Sequence, residues 1–370
     1  MAQIVKAELL MVDLAPKVVR TDAIQSFVSQ ETPIVRLTDA DGNIGTGYSY
    51  TIGTGGPAVI SLLRETLLPL VIGREAEEIE AIWRDLLFAI HATAVGAITS
   101  LALATIDTAL WDLRCLRAEL PLWRMAGGAK PAVPMYSTEG GWLHIETDAL
   151  VTDALEMQKK GFAGSKIKIG KPTLAADRAR LRAVRNAVGD DYHILVDANQ
   201  SFTLAEARIR ANMLAEFDIG WFEEPMPADD VGAHVQLTVM SPVPIAVGES
   251  MYSLSQFKDY LAMNACTIVQ ADVARVGGIT PWLKIAHMAE AFNVAICPHF
   301  LMELHVSLTC AVPNAPMLEY IPQLDDITTK GITITNGKAL APMTPGLGIA
   351  WDWDAIEART INGLSATIGG

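Results

Sequence analysis

Asp197, Glu223 and Glu249 stand 26 residues apart, one interval after the other. Each closes a short apolar run: ILVDAN, GWFEEP and PIAVGE. Such runs read as strands of a parallel sheet buried on both faces. If the interval is one strand–helix unit, three adjacent strands, ~4.8 Å apart, deliver a carboxylate to the same end of the sheet. Oxygen ligands without nitrogen or sulfur suit a hard divalent cation, Mg2+ rather than Zn2+, with water or substrate completing the octahedron. A single acid at a strand end is more simply explained as a cap for the next helix, but three in phase are not. Glu224, the next residue along, is expected on the opposite face by the two-residue period of a strand.

Other chemistry-bearing residues fall at the ends of neighbouring runs. In Ser165-Lys166-Ile167-Lys168-Ile169 the two lysines share one face and the isoleucines the other. With the isoleucines toward helices, the lysines face the interior. Repulsion and lost solvation predict a lowered pKa for at least one, which would then serve as a neutral base. The plainer reading is a surface strand whose lysine stems pack on apolar neighbours, and the apolar flanks argue against it. Later runs end in Ala271-Asp272 and Cys297-Pro298-His299. On adjacent strands Asp272 would reach the His299 imidazole, fix its tautomer and raise its basicity. Glu319 closes MLEY and is expected near the centre of the mouth, as a protonated acid donating to a substrate oxygen or, more plainly, as a helix cap. Lys168 and His299 on opposite sides of one carbon, with a cation on the neighbouring oxygens, suit removal of a proton α to a carboxylate.

The elements needed to position these residues are legible in outline. Eight strand windows are predicted at 133–136, 166–169, 193–196, 221–223, 245–247, 268–271, 294–297 and 317–319. Helical stretches such as LAADRARLRAVRNAV and ITPWLKIAHMAEAF separate most of them. Eight alternating units predict a closed α/β barrel whose active site sits at the C-terminal strand ends. An open doubly wound sheet is the alternative, but no GxGxxG follows a first strand. The chain before the barrel differs in kind. TPIVRLTDADGNIGTGYSY reads as a hairpin, with Asp41-Gly42 at the turn, and residues 57 to 126 read as helices. This predicts an α+β capping domain over 1–126, completed by 321–370, and a barrel over 127–320.

Composition bounds the rest. The chain has 370 residues, 51% hydrophobic and 19% charged, which favours a large filled core over disorder. A net charge of −14 disfavours nonspecific nucleic-acid or anionic-membrane partners. Cys115, Cys266, Cys297 and Cys310 show no CxxC spacing and read as structural thiols in a reducing compartment. Neither a signal peptide nor a membrane span is evident, so a cytoplasmic protein is expected.

These residues together resemble the enolase superfamily, specifically its mandelate racemase subgroup. The resemblance rests on Lys166-Ile-Lys168, Asp197-Ala-Asn199-Gln200, Trp221-Phe-Glu223-Glu224-Pro225, Gly248-Glu249-Ser250, Asp272, Gly277-Gly278, Pro298-His299 and Glu319, in this order over about 130–320, with IDTALWDL and PGLGI outside that span. It implies a capping domain over a modified (β/α)7β TIM-like barrel, with Mg2+ on Asp197, Glu223 and Glu249. Lys168 and the His299–Asp272 pair would be the acid/base groups, and Glu319 a hydrogen-bonding electrophile. Lys166 would neutralise the substrate carboxylate and Asn199 would touch the α-substituent. The capping loop VVRTDAIQSFVSQETP departs from mandelate racemase in being longer and polar, with Arg20, Thr21, Asp22, Gln25, Ser26 and Gln30. A polar cap suits a polyhydroxylated substrate, and Arg20 and Thr21 are expected to bind it. The expectation is an acid-sugar dehydratase acting on a small carboxylate, with a 2-hydroxy-acid racemase or epimerase as the alternative. A non-catalytic scaffold would show gaps in the acid/base set, and none is present. Relatives of this kind form dimers or octamers, so a homo-oligomer is expected.

Overall fold

The computed structural model describes residues 2–370. The chain opens with β1 (Ile4–Asp13), passes through a short hairpin of β2 (Arg20–Thr21) and β3 (Ser26–Phe27), and continues with β4 (Glu31–Asp39) and β5 (Ile44–Tyr48). β1, β4 and β5 form an antiparallel sheet, joined on the far side of β1 by the last strand of the chain, β18 (Ala366–Gly369). Helices α1 (Gly56–Leu62), α2 (Leu68–Val71), α3 (Ile79–Ala89), α4 (Ala97–Arg117) and α5 (Leu122–Met125) follow, with a π-helical turn at Leu63–Leu67.

The long helix α4 is buried along most of its length and packs on β4 and β5. Gly47 permits that approach, since a Cβ there would stand 2.2 Å from the Thr105 carbonyl. Two buried acids on α4 reach distant chain. Asp112 accepts from the backbone of Thr46 and Leu347, each at 2.8 Å. Asp107 accepts from the amide and hydroxyl of Thr280, at 2.9 and 2.6 Å. The sequence IDTALWDL thus supplies two staples, because a buried carboxylate must find donors.

The barrel is β6 (Ala132–Ser137), α6 (Thr147–Lys159), β7 (Gly164–Lys168), α7 (Leu174–Val188), β8 (His193–Asp197), α8 (Leu204–Leu214), β9 (Ile219–Glu223), α9 (Val231–Met240), β10 (Ile245–Val247), α10 (Leu254–Ala262), β11 (Ile268–Val269), α11 (Ile279–Ala291), β12 (Ala295–Ile296), α12 (Met302–Ala311) and β13 (Leu318–Tyr320). Eight strands alternate with seven helices. The strands pair in parallel from β6 to β12, and β13 returns beside β6. Side-chain caps mark where several helices begin: Thr173, Thr203, Asp230 and Ser253 each accept from a first-turn amide. Tyr136, Leu195, Trp221, Ala246 and Cys297 form a cluster of their own across five of the barrel strands, filling the barrel as a packed core rather than a pore.

The tail carries β14 (Thr328–Lys330), β15 (Ile334–Thr335), β16 (Lys338–Leu340), β17 (Ala350–Trp351), α13 (Trp353–Arg359) and β18. It touches both parts of the molecule: β16 pairs with β6 of the barrel, whereas β18 pairs with β1. Among the described residues no helix is long and apolar enough to cross a membrane.

Candidate active site

Sheet register assembles the charged centre. Lys168 at the end of β7 lies opposite Asp197 at the end of β8, and Asp197 lies opposite Glu223 at the end of β9. Glu249 follows two residues after β10. Gly248 before it has φ +151, and a Cβ there would stand 2.6 Å from Gln270 backbone, so glycine alone lets Glu249 enter from so close to β11. One oxygen from each of Asp197, Glu223 and Glu249 lies within 4.8 Å of the others. Glu224 is also buried, but accepts from the Ser250 amide and hydroxyl at 3.2 Å each, away from that group.

The lysines are buried among these acids. Lys166 Nζ is 2.8 Å from Glu223 Oε1 and 2.9 Å from Glu319 Oε1. Lys168 Nζ bonds the Asp197 carboxylate and, at 2.9 Å, Asn199 Oδ1. Burial works against both ammonium charges, yet Glu223 and Glu319 hold Lys166 well above the usual lysine range, and Asp197 raises Lys168. The lowered lysine pKa expected from mutual repulsion is therefore corrected: opposite charges at hydrogen-bond distance outweigh a like charge. Asp197 stays below its ordinary value because the two lysines outweigh its burial. Glu223 moves the other way, pushed up to about 7 by burial and then by Asp197 and Glu249.

Glu319 requires a second correction. It accepts from Thr138 Oγ1 at 2.6 Å and from the Phe300 amide at 2.7 Å, besides the contact with Lys166. All three are donors, and Lys166 and His299 lower its pKa despite full burial. An ionised acceptor stands where a protonated donor was expected.

His299 and Asp272 meet as the strand order requires, with Nδ1 2.9 Å from Asp272 Oδ2. Tyr50, just past β5, donates to the same oxygen at 2.7 Å. The other oxygen, Oδ1, accepts from the amides of Ala274 and Arg275. Burial would raise Asp272, but the hydrogen bond and charge of His299 bring it to about 2. His299 Nε2 faces Glu249 Oε2 at 3.1 Å, and Glu249 with Asp272 raises the imidazole against its burial. Arg275 ties this corner together, donating to Tyr50 Oη at 3.0 Å and to the Glu249 carbonyl at 2.9 Å. Behind it His305 is neutral: its Nε2 accepts from the Val273 amide, and burial lowers its pKa to about 4.

Lys166, Lys168, Asn199, Glu249, His299 and Glu319 line one cavity at the mouth. Arg20 and Thr21 do not. Arg20 is only 3% exposed and its guanidinium donates to Glu139 at 2.7 Å, Gln323 at 3.2 Å and the Pro322 carbonyl at 3.1 Å, all outside the cavity lining. Thr21 Oγ1 pairs with Ser26 across the hairpin at 2.9 Å. The cap contributes Asp22, Gln25 and Phe27 instead. A two-residue β2 followed by a tight turn held by Asp22 Oδ1 directs Arg20 to the barrel rim and Asp22 inward. Sequence reasoning also missed Tyr50, Trp142 and Arg275 in the lining. Only Arg275, three residues past Asp272, carried a local signal.

The acid triad fits a hard cation. Its donor set is all oxygen, the three oxygens converge from separate strands, and the buried Glu249 Oε2 has no aligned hydrogen-bond donor. Burial, and then the charges of Asp197 and Glu249, push the Glu223 carboxyl up, a stress that a bound cation would relieve.

Comparison with known proteins agrees with this geometry. Residues 6–127 match the mandelate racemase / muconate lactonizing enzyme N-terminal domain, and residues 149–355 the enolase C-terminal domain-like family. A 3,6-anhydro-alpha-L-galactonate cycloisomerase of Streptomyces coelicolor is 35% identical over 324 residues, 87% of this chain and 89% of its own length. An L-talarate/galactarate dehydratase of Salmonella typhimurium is 34% identical over 315 residues, 85% of this chain and 79% of its own. The crystal structure of L-talarate dehydratase from Polaromonas sp. JS666, complexed with Mg and L-glucarate, superposes with a TM-score of 0.94 at 33% identity, covering 100% of both chains. With both domains matched and the acids and bases standing at successive strand ends, the chain belongs to the mandelate racemase / muconate lactonizing enzyme family of the enolase superfamily.

Proposed function

We propose that the protein is a Mg2+-dependent acid-sugar dehydratase, which removes the proton α to a carboxylate and expels the β-hydroxyl to give a 2-keto-3-deoxy acid. One observation carries the reading: Lys168 and His299, each bonded to its own acid, open onto a single cavity that Glu249 of the Asp197–Glu223–Glu249 group also lines. The polar lining supplied by Asp22, Gln25, Thr138 and Asn199 suits a hydroxylated substrate. Relatives named as dehydratases of sugar acids support the same class.

Asp197, Glu223 and Glu249 would hold Mg2+, which when bound supplies positive charge to the substrate carboxylate as the α-carbon gives up its proton. Lys166 places a second fixed charge beside that carboxylate, held by Glu223 and Glu319. Lys168 is kept protonated chiefly by Asp197, with Glu249 and Glu223 adding to the hold. Matching the charge of these acids weakens that hold, and the amine becomes a base. His299 presents Nε2 from the other side, its Nδ1 proton held by Asp272. As imidazolium it returns a proton to the departing hydroxyl, which leaves as water, and the enol product tautomerises to the keto acid.

The test is incubation of aldonates and aldarates with Mg2+ and detection of keto acid. Keto-acid formation from at least one acid sugar is expected. Exchange of the α-hydrogen in D2O without keto acid would replace the dehydratase by a racemase or epimerase. Neither exchange nor keto acid from any substrate would end the reading.

A further inference from the structure

We propose that the substrate carries one carboxylate only: an aldonate-type acid with a neutral hydroxylated end under the cap, not an aldarate with a carboxylate at each end. The inference rests on the dehydratase reading and refines its substrate class.

A substrate lying across the cavity has two ends to satisfy. At the floor, Lys166 and the cation that the acid triad would hold receive the carboxylate next to the reacting carbon. Toward the cap, the lining is Asp22 and Gln25 with Phe27, Ile52 and Ile321. Among the described residues the cations lining the whole cavity are Lys166, Lys168, Arg275 and His299. Lys168 and His299 flank the reacting carbon as its acid/base groups, and Lys166 sits at the floor between Glu223 and Glu319. Arg275 is committed to Tyr50 Oη and the Glu249 carbonyl. Arg20, the cation of the capping loop, is turned to Glu139, Gln323 and Pro322.

A second carboxylate entering under the cap would lose its water and find no uncommitted cation: Lys168, whose charge reaches Asp22, is already held by Asp197 and Asn199. It would also meet the Asp22 carboxyl, and a buried charge beside a like charge is unfavourable. Sugar hydroxyls meet the opposite situation. Asp22 Oδ1 is taken by the amides of Ile24 and Gln25 at 2.8 and 2.9 Å, while Oδ2 makes no hydrogen bond among the described residues and is placed to accept from a hydroxyl. The Gln25 amide offers both donor and acceptor. Asp22 is therefore the specificity-determining residue of the cap.

The experiment uses matched pairs that differ only at the terminal carbon, CH2OH against COO−: gluconate and glucarate, galactonate and galactarate, mannonate and mannarate. Keto-acid formation and α-hydrogen exchange are measured for each with Mg2+. In the pair that reacts, kcat/KM is expected to favour the monoacid by about 100-fold or more. Asp22→Asn keeps the shape and removes the charge, and is expected to narrow that ratio about tenfold. A diacid handled as fast as its monoacid overturns the single-carboxylate inference while leaving the dehydratase reading in place. A ratio unmoved by Asp22→Asn overturns the role given to Asp22. Silence from every substrate overturns the dehydratase reading, and this inference falls with it.

Discussion

At the scale of single residues, one oxygen atom does two jobs. Asp272 Oδ2 accepts from both the His299 imidazole and the Tyr50 hydroxyl, and Tyr50 comes from the capping domain. Tyr50 is thereby a positioning residue: it fixes the carboxylate that fixes the base. Tyr50→Phe keeps the ring on Phe300, 4.5 Å between centroids, and deletes only the hydroxyl. A fall in kcat of about tenfold with KM little changed is expected, in line with the loss of other supporting hydrogen bonds. α-Hydrogen exchange on the His299 side should slow while exchange on the Lys168 side persists. Equal slowing on both sides would mean general disturbance rather than positioning. The two proposed bases should give sharper losses. Lys168→Ala and His299→Asn should each lower turnover by about 100-fold or more, and with opposite preference between epimers at C2. Full activity in both variants would rule out a two-base site.

At the scale of elements, α4 joins the two parts of the molecule through Asp107, which accepts from Thr280 at the start of α11. Burial pushes the Asp107 carboxyl up to about 7, outweighing those hydrogen bonds. A folded-state pKa above the unfolded value means that the folded protein binds the extra proton. The corresponding stability is complete below about pH 4 and is lost as pH rises through 7. Its full size is on the order of 4 kcal/mol. Asp107→Asn has no proton to lose, so the stability of the wild type relative to this variant should fall between about pH 4 and 7. Denaturant unfolding of both proteins across that range measures the difference, and a flat difference would place the ionised form comfortably in the joint. Elements of this kind explain what the sequence disclosed. The 26-residue spacing of Asp197, Glu223 and Glu249 was legible because strand and helix lengths are set locally by apolar runs and caps. The eight strand windows fell on β6 to β13 for the same reason. Tyr50 and Trp142 were not legible, because their presence at the mouth depends on how cap, loop and barrel dock. Arg20 was misplaced because a polar loop residue has no periodicity to say where it points. The charge states of Lys166 and Glu319 were not legible because their pairing depends on β13 closing beside β6, a contact about 180 residues apart in the chain.

At the scale of the whole molecule, the barrel brings carboxylates from separate strands into its interior and thereby stores repulsion. Glu223, pushed up to about 7 by burial and then by Asp197 and Glu249, carries part of that stress. An ion that binds this site only in the folded chain shifts the unfolding equilibrium by its own binding free energy, about 2.7 kcal/mol at 100 times its Kd. Unfolding entropy scales with length, and for 370 residues that free energy corresponds to a rise in Tm of roughly 3 °C. Mg2+ titration followed by calorimetry should therefore show a saturable rise of that order, reversed by a chelator. Asp197→Asn removes one ligand and the partner of Lys168, so the rise should largely vanish while the metal-free variant still melts cooperatively. An undiminished rise in Asp197→Asn would put the ion somewhere other than the strand ends, and the chemistry assigned to Lys168 and His299 would lose the charge it depends on.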